Sequence, residues 1–160
     1  MATNFTRAVE YVLGIEKGYV NDPDDSGGET NYGISKSSYP QLDIKNLTRS
    51  EAIDIYHSDY WLKGHFDRIN DYKLATLGFS VAVTSGVKAG GKILQRACNL
   101  LGANLVVDGI LGEKSIQKIN GYRHPKALLT AARYYATDYY RSCRNASKYL
   151  AGWLARISEP

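Results

Sequence analysis

Apolar side chains recur along this chain at helical spacing from the first residues onward. Phe5, Ala8, Val9, Val12 and Leu13 fall on one face, Thr3 or Asn4 is placed to cap the start, and Gly14 and Gly18 bracket the end. A second helix opens on a capping box of Thr48 and Glu51 and turns Ile53, Tyr56 and Tyr60 inward. A third begins near Asn70 or Asp71 with Leu74, Leu77 and Val81. A fourth runs through Val87, Gly91, Leu94 and Cys98 to Leu101, where Gly102 stops it. An Asp108-Gly109 turn precedes a small helix from about Glu113, and Pro125 starts a long one through Leu128, Leu129, Ala132, Ala136 and Tyr139. Asn145 caps the last, in which Leu150, Trp153, Leu154 and Ile157 share a face. No period-two alternation is long enough for a large sheet. The fold class is therefore mainly α, with any short hairpin confined to the irregular stretch from Tyr19 to Ile34.

One charge falls in step with the apolar face of the first helix. Glu16 continues the series and is expected in or near the last turn with its side chain turned inward. Desolvation and the carbonyl-rich helix end both favour its neutral form, which is what a proton donor needs. The segment Asn21-Asp22-Pro23-Asp24-Asp25-Ser26-Gly27-Gly28-Glu29-Thr30 follows at once. As a calcium loop it fails, because Gly33 stands where an EF-hand needs a bidentate Glu. Part of it is turn scaffold, built on Pro23 and the Gly27-Gly28 pair. The remaining use is glycosidase chemistry. Glu16 would protonate the glycosidic oxygen, Asp25 would activate water or stabilise the cationic sugar, and Thr30 would hold the water.

Length and composition limit the alternatives. A chain of 160 residues with 44% hydrophobic and 22% charged residues builds one core, and no segment reads as a linker, so residues 1–160 are expected to form a single domain. Its apolar runs are too short to span a bilayer, and Arg7 and Glu10 interrupt any signal-peptide pattern. The expectation is synthesis in the cytoplasm without a cleaved signal peptide, and no membrane insertion. Residues 1–80 hold 8 Lys/Arg against 12 Asp/Glu, whereas residues 81–160 hold 12 against 4. The basic half suits a polyanion, nucleic acid or a cell-wall polymer, but no nucleic-acid motif accompanies it. Cys98 and Cys143 read as buried free thiols, a disulfide being open to them only in an oxidising compartment.

Other strings carry less. Gly86-Val87-Lys88-Ala89-Gly90-Gly91-Lys92 imitates a nucleotide-binding loop, but Ile93 occupies the Mg-binding hydroxyl position and the preceding stretch reads as helix. It is taken as a tight helix junction in which Gly90 and Gly91 allow close packing. His57, His65 and His124 lack metal-ligand spacing, so no metal and no organic cofactor is expected. Of the thirteen tyrosines, Tyr32 is the best candidate for sugar contact because it lies in the loop.

The run from Glu16 to Ile34, EKGYVNDPDDSGGETNYGI, resembles the E-G-G-Y-x-x-D-P-x-D-x-G-G-x-T-x-x-G-I signature of glycoside hydrolase family 108, the bacterial and phage N-acetylmuramidases. Further on, Ile93-Leu94-Gln95-Arg96 and Val107-Asp108-Gly109-Ile110-Leu111-Gly112 resemble the L-Q-x-x-x-N and V-D-G-x-x-G elements of that family's peptidoglycan-binding-like C-terminal half. The resemblance implies a lysozyme-like helical fold, with residues 1–85 as a catalytic half and 86–160 as a peptidoglycan-binding-like basic half. It also implies a monomeric peptidoglycan hydrolase cleaving the β-1,4 bond between N-acetylmuramic acid and N-acetylglucosamine, with Glu16 as the acid. Asp22, Asn31, Tyr32, Asp108 and Gly109 become candidate substrate contacts. Phage endolysins and muramidases that release secreted proteins or toxins belong to the family, so action in the periplasm or cell wall after holin-like or other release is the expected setting. Two positions depart from the pattern. Lys17 replaces a signature glycine and is expected to point outward. Ser80 and Thr84 replace the Asp and Asn of F-D-x-x-V-N-x-G, which implies a changed substrate subsite. A catalytically silent wall-binding protein and a lytic transglycosylase are the competing readings.

Overall fold

The computed structural model describes residues 3–16, 18–23 and 27–158. Asp25 and Lys17 lie outside the described residues, as do Asp24 and Ser26. The element order is α1 (Asn4–Ile15), β1 (Val20–Asn21), β2 (Glu29–Asn31), β3 (Ile34–Ser35), α2 (Arg49–Ile55), α3 (Tyr72–Ser85), α4 (Val87–Leu100), α5 (Glu113–Gly121), α6 (Pro125–Ser142) and α7 (Ala146–Ser158). The domain is mainly α, as the periodicity predicts, and the irregular stretch folds into a small antiparallel sheet of order β1-β2-β3.

The helix starts follow the capping rules. Thr3 accepts from the Thr6 N–H, Asp71 from the Leu74 N–H, and Thr48 and Glu51 form the reciprocal box that satisfies two orphan donors at the start of α2. Where α2 ends, the chain continues as a π-helical segment, Tyr56–Leu62. The wider turn changes which residues share a face. Tyr56 and Trp61, five apart, are both buried, whereas Tyr60, which α-helical spacing turns inward, is half-buried. A 3₁₀ turn, Phe66–Arg68, follows His65, which takes a left-handed conformation at φ 56° and meets the Leu111 carbonyl through Nδ1 at 2.8 Å.

α3 is the central element. Every residue from Leu74 to Ala82 is buried, the pattern of a helix covered on all sides, and it packs against α1, α4, α6 and α7. The apolar face of α1, with Ala8, Val9 and Val12, lies against it. Phe79 of α3 sits edge-on to Trp61 at 5.4 Å and to Phe5 at 6.4 Å, the favoured geometry for aromatic pairs. α4 packs closely against α3 because a side chain at Gly90 would run into the Gly78 carbonyl, and against the Asp108-Gly109 turn because one at Gly91 would run into the Gly109 carbonyl. This is the tight junction that the glycine-lysine string suggests, and α4 runs on as a helix through Lys92. Among the described residues, no helix is long and apolar enough to cross a membrane. Cys98 is buried and Cys143 half-buried, and both are free.

Candidate active site

Glu16 is the C-cap of α1 and not part of its last turn. Its backbone is extended, at φ −68° and ψ 137°, while its N–H still donates to the Val12 carbonyl at 3.1 Å. That turn of the chain directs the carboxyl inward, leaving 14% of the side chain exposed. There Oε1 accepts a 2.5 Å bond from Nη2 of Arg156, whose own side chain is 10% exposed. Arg156 is supplied by α7, 140 residues away along the chain. The last turn of α7 is tied down by its carbonyls: the Tyr11 hydroxyl donates to the Arg156 carbonyl at 3.0 Å, and Nε of Arg133 donates to the Ile157 carbonyl at 3.1 Å.

The sheet closes the other side of the carboxyl. β2 and β3 pair Asn31 with Ile34, leaving Tyr32 and Gly33 as a two-residue connection. Both have positive φ, 50° and 79°, as a type I′ turn requires. The turn passes so close to Glu16 that a Cβ on Gly33 would lie 2.6 Å from the carboxyl carbon, 2.8 Å from Oε2 and 2.6 Å from the Tyr56 hydroxyl. Glycine is thus required twice, for the backbone angle and for the space. Tyr56 donates to the Tyr32 carbonyl at 2.7 Å and so pins the turn. Burial first, and then the charge of Glu16, hold the Tyr56 hydroxyl well above the usual tyrosine range, so it stays a donor.

The other candidates are distributed unevenly around this centre. Thr30 stands in β2 between Val20 and Ser35, with its hydroxyl directed to the Gly28 carbonyl at 3.5 Å. Asp22, just past β1, is half-buried. Asn31, buried, spends its amide on the carbonyls of Ile44 at 3.0 Å and Leu47 at 3.4 Å, tying the sheet to the segment before α2. Ser80 is wholly buried inside α3. Thr84 bonds the Tyr140 hydroxyl at 2.8 Å, and burial pushes that hydroxyl up to about 12. Asp108 and Gly109 form a separate turn wrapped around Gln95 of α4, whose Oε1 accepts from the Gly109 N–H and whose Nε2 donates to Asp108, each at 2.8 Å. The Gln95 amide and the Ile110 N–H hold the Asp108 carboxyl below its usual range. Four residues beyond Tyr56, the Tyr60 ring lies 5.6 Å from it, tilted by 60°, and lines an open groove of about 510 Å³ with Tyr39, Asp59, Lys63 and Lys88.

Arg156 and Tyr56 are the site residues that sequence reasoning did not single out. The signal for Arg156 resembles that for Glu16: it lies three residues after Trp153 and beside Ile157, a charge on the inward face of an amphipathic helix. Each helix carries one inward charge, and the two meet.

Three comparisons bear on this geometry. Residues 9–86 match the family model Glycosyl hydrolase 108, a match that begins in α1 and ends at Gly86, the cap between α3 and α4. No curated protein matches the chain. A solved structure described as that of Brucella abortus SagA superposes with a TM-score of 0.81 at 26% identity, over 96% of this chain and 89% of that one. Glu16, the Tyr32-Gly33 turn and Tyr56 all fall within the matched segment, so the part of the chain that encloses the carboxyl is the part that is similar to the glycosyl hydrolase 108 family.

Proposed function

We propose that this protein is a glycosyl hydrolase, an N-acetylmuramidase that cleaves the β-1,4 bond between N-acetylmuramic acid and N-acetylglucosamine in peptidoglycan. The observation that supports it most is the Glu16 carboxyl, nearly enclosed at the end of α1 against the backbone of a turn, inside the segment matched by the glycosyl hydrolase 108 model. A carboxyl held in one orientation with little water around it suits proton donation to a leaving oxygen. In this reading Asp25 is the second carboxylate and Thr30 holds the water. Asp22 and Tyr32 shape the sugar site. The groove beside Tyr60 offers rings for sugar faces and two lysines for the carboxylates of an anionic wall polymer. Asn31 and Ser80 are assigned to scaffold because both are buried. Residues 1–85 supply the chemistry. The basic residues 86–160, with the Asp108-Gly109 turn and the Thr84 region, grip the wall. The protein works as a monomer in the periplasm or cell wall after release from the cytoplasm, in host lysis or in letting protein cargo out.

The test is release of reducing sugar from purified sacculi. Glu16→Gln should lower the rate at least about a hundredfold, the scale of a lost general acid. A variant that retains the wild-type rate overturns the assignment.

A further inference from the structure

The Arg156–Glu16 pair does more than hold α7 in place. Apart from its Nη2 bond to Glu16, the Arg156 guanidinium leaves Nε and Nη1 buried with no hydrogen-bond partner among the described residues. A purely structural arginine in so enclosed a place ordinarily spends its fork of donors on several acceptors, and buried donors left idle call for another explanation. Here the charge is committed to one carboxylate oxygen. The other oxygen, Oε2, faces the Tyr32-Gly33 turn and the Tyr56 hydroxyl.

We propose that Arg156 is a positioning residue for the hydrolysis: it fixes Oε1 of Glu16 and makes Oε2 the oxygen that carries the proton. The inference rests on the reading of Glu16 as the acid. The protonated carboxyl keeps its Arg156 bond, because Oε1 still accepts from Nη2 while Oε2–H points away from it. The proton passes from Oε2 to the glycosidic oxygen as the bond from the anomeric carbon breaks, the bonding electrons staying with the leaving oxygen. Water adds its hydroxyl to that carbon, and its remaining proton restores the acid. Between these events Glu16 is a carboxylate, and Arg156 sits beside the charge as it forms. The groups around the pair are Tyr56 from the π-helical segment, Tyr140 of α6, which feels the Arg156 charge, and Tyr11 and Arg133 at the adjoining carbonyls of α7.

The experiment measures kcat and KM separately on soluble peptidoglycan fragments for the wild type, Arg156→Gln and Arg156→Lys, with Glu16→Gln as the control. In Arg156→Gln the carboxyl loses its anchor, and kcat should fall on the order of a hundredfold, the cost of misplacing a reacting group by about 1 Å, while KM stays within a few-fold. Arg156→Lys keeps the charge but not the fork, so its kcat should lie between the two, about tenfold below the wild type, again with KM within a few-fold. A folded Arg156→Gln with wild-type kcat overturns the proposal, and so does one in which KM rises while kcat is kept. If Arg156→Gln does not fold, Arg156→Lys decides: wild-type kcat in that variant overturns the proposal, and reduced kcat with KM kept supports it. An active Glu16→Gln removes the assignment of the acid itself. An inactive Glu16→Gln together with wild-type kcat in Arg156→Gln removes only the role given to Arg156.

Discussion

Gly33→Ala probes the packing of the turn against the acid with one methyl group. The added Cβ would lie 2.6 Å from the Glu16 carboxyl carbon, whereas ordinary contact begins at 3.4 Å, so the carboxyl has to retreat by close to an ångström. The turn itself has little freedom to yield, because the Tyr56 hydroxyl holds the Tyr32 carbonyl at 2.7 Å and Asn31 pairs with Ile34. A misplacement of about 1 Å at a reacting group costs on the order of a hundredfold in rate. Alanine at a φ of 79° adds strain of about 1–2 kcal/mol. That corresponds to about 2–8 °C in melting temperature for a chain of this size. Gly102→Ala is the matched control, since φ there is 95° with nothing within 4 Å of the new Cβ. It should show the same backbone strain with the rate intact. The assay is hydrolysis of sacculi alongside thermal unfolding. Gly33→Ala within a few-fold of the wild-type rate would refute the idea that this turn sets the position of Glu16.

Three further outcomes follow from the contacts. Glu16→Gln should lose stability as well as activity, because the buried Arg156 charge then faces a neutral amide; a loss of about 1.5–3 kcal/mol in urea unfolding is expected, and an unchanged midpoint would contradict the pairing. The activity of this variant is therefore read under conditions in which it is folded. Gln95→Leu orphans the buried Gly109 N–H and releases Asp108, so it should destabilise the chain by at least about 2 kcal/mol, and less than 0.5 kcal/mol would show that the turn does not depend on Gln95. Cys98 is 2% exposed and burial pushes its thiol up to about 11, so a thiol reagent at pH 8 should leave it unmodified until denaturant is added; rapid native labelling would count against that burial.

The helices were legible because their signals are local. Capping by Thr3, Thr48, Glu51 and Asp71, the stop at Gly102 and the start at Pro125 depend on residues within one turn of each other. The π-helical segment was not legible, since one extra residue per turn alters the face without altering composition, and Trp61 rather than Tyr60 is buried along with Tyr56. Glu16 stood out because a charge on an apolar stripe is conspicuous. Its placement as a cap, beyond the helix, reflects the ordinary uncertainty of a helix end. The counter-charge was hidden by distance along the chain: Arg156 carries the same kind of signal, but no spacing rule links residues 140 apart. The roles of Asn31 and Ser80 turned on burial, which the period of a three-residue strand or of a helix covered on every side does not reveal.

The most direct test is mass spectrometry of the muropeptides released from purified sacculi by the wild type and by Glu16→Gln, with circular dichroism to show that the variant is folded. The account predicts wild-type products ending in reducing N-acetylmuramic acid and none from the folded variant. Products ending in a 1,6-anhydro sugar, binding to sacculi without release of products, or the same products from Glu16→Gln would contradict it.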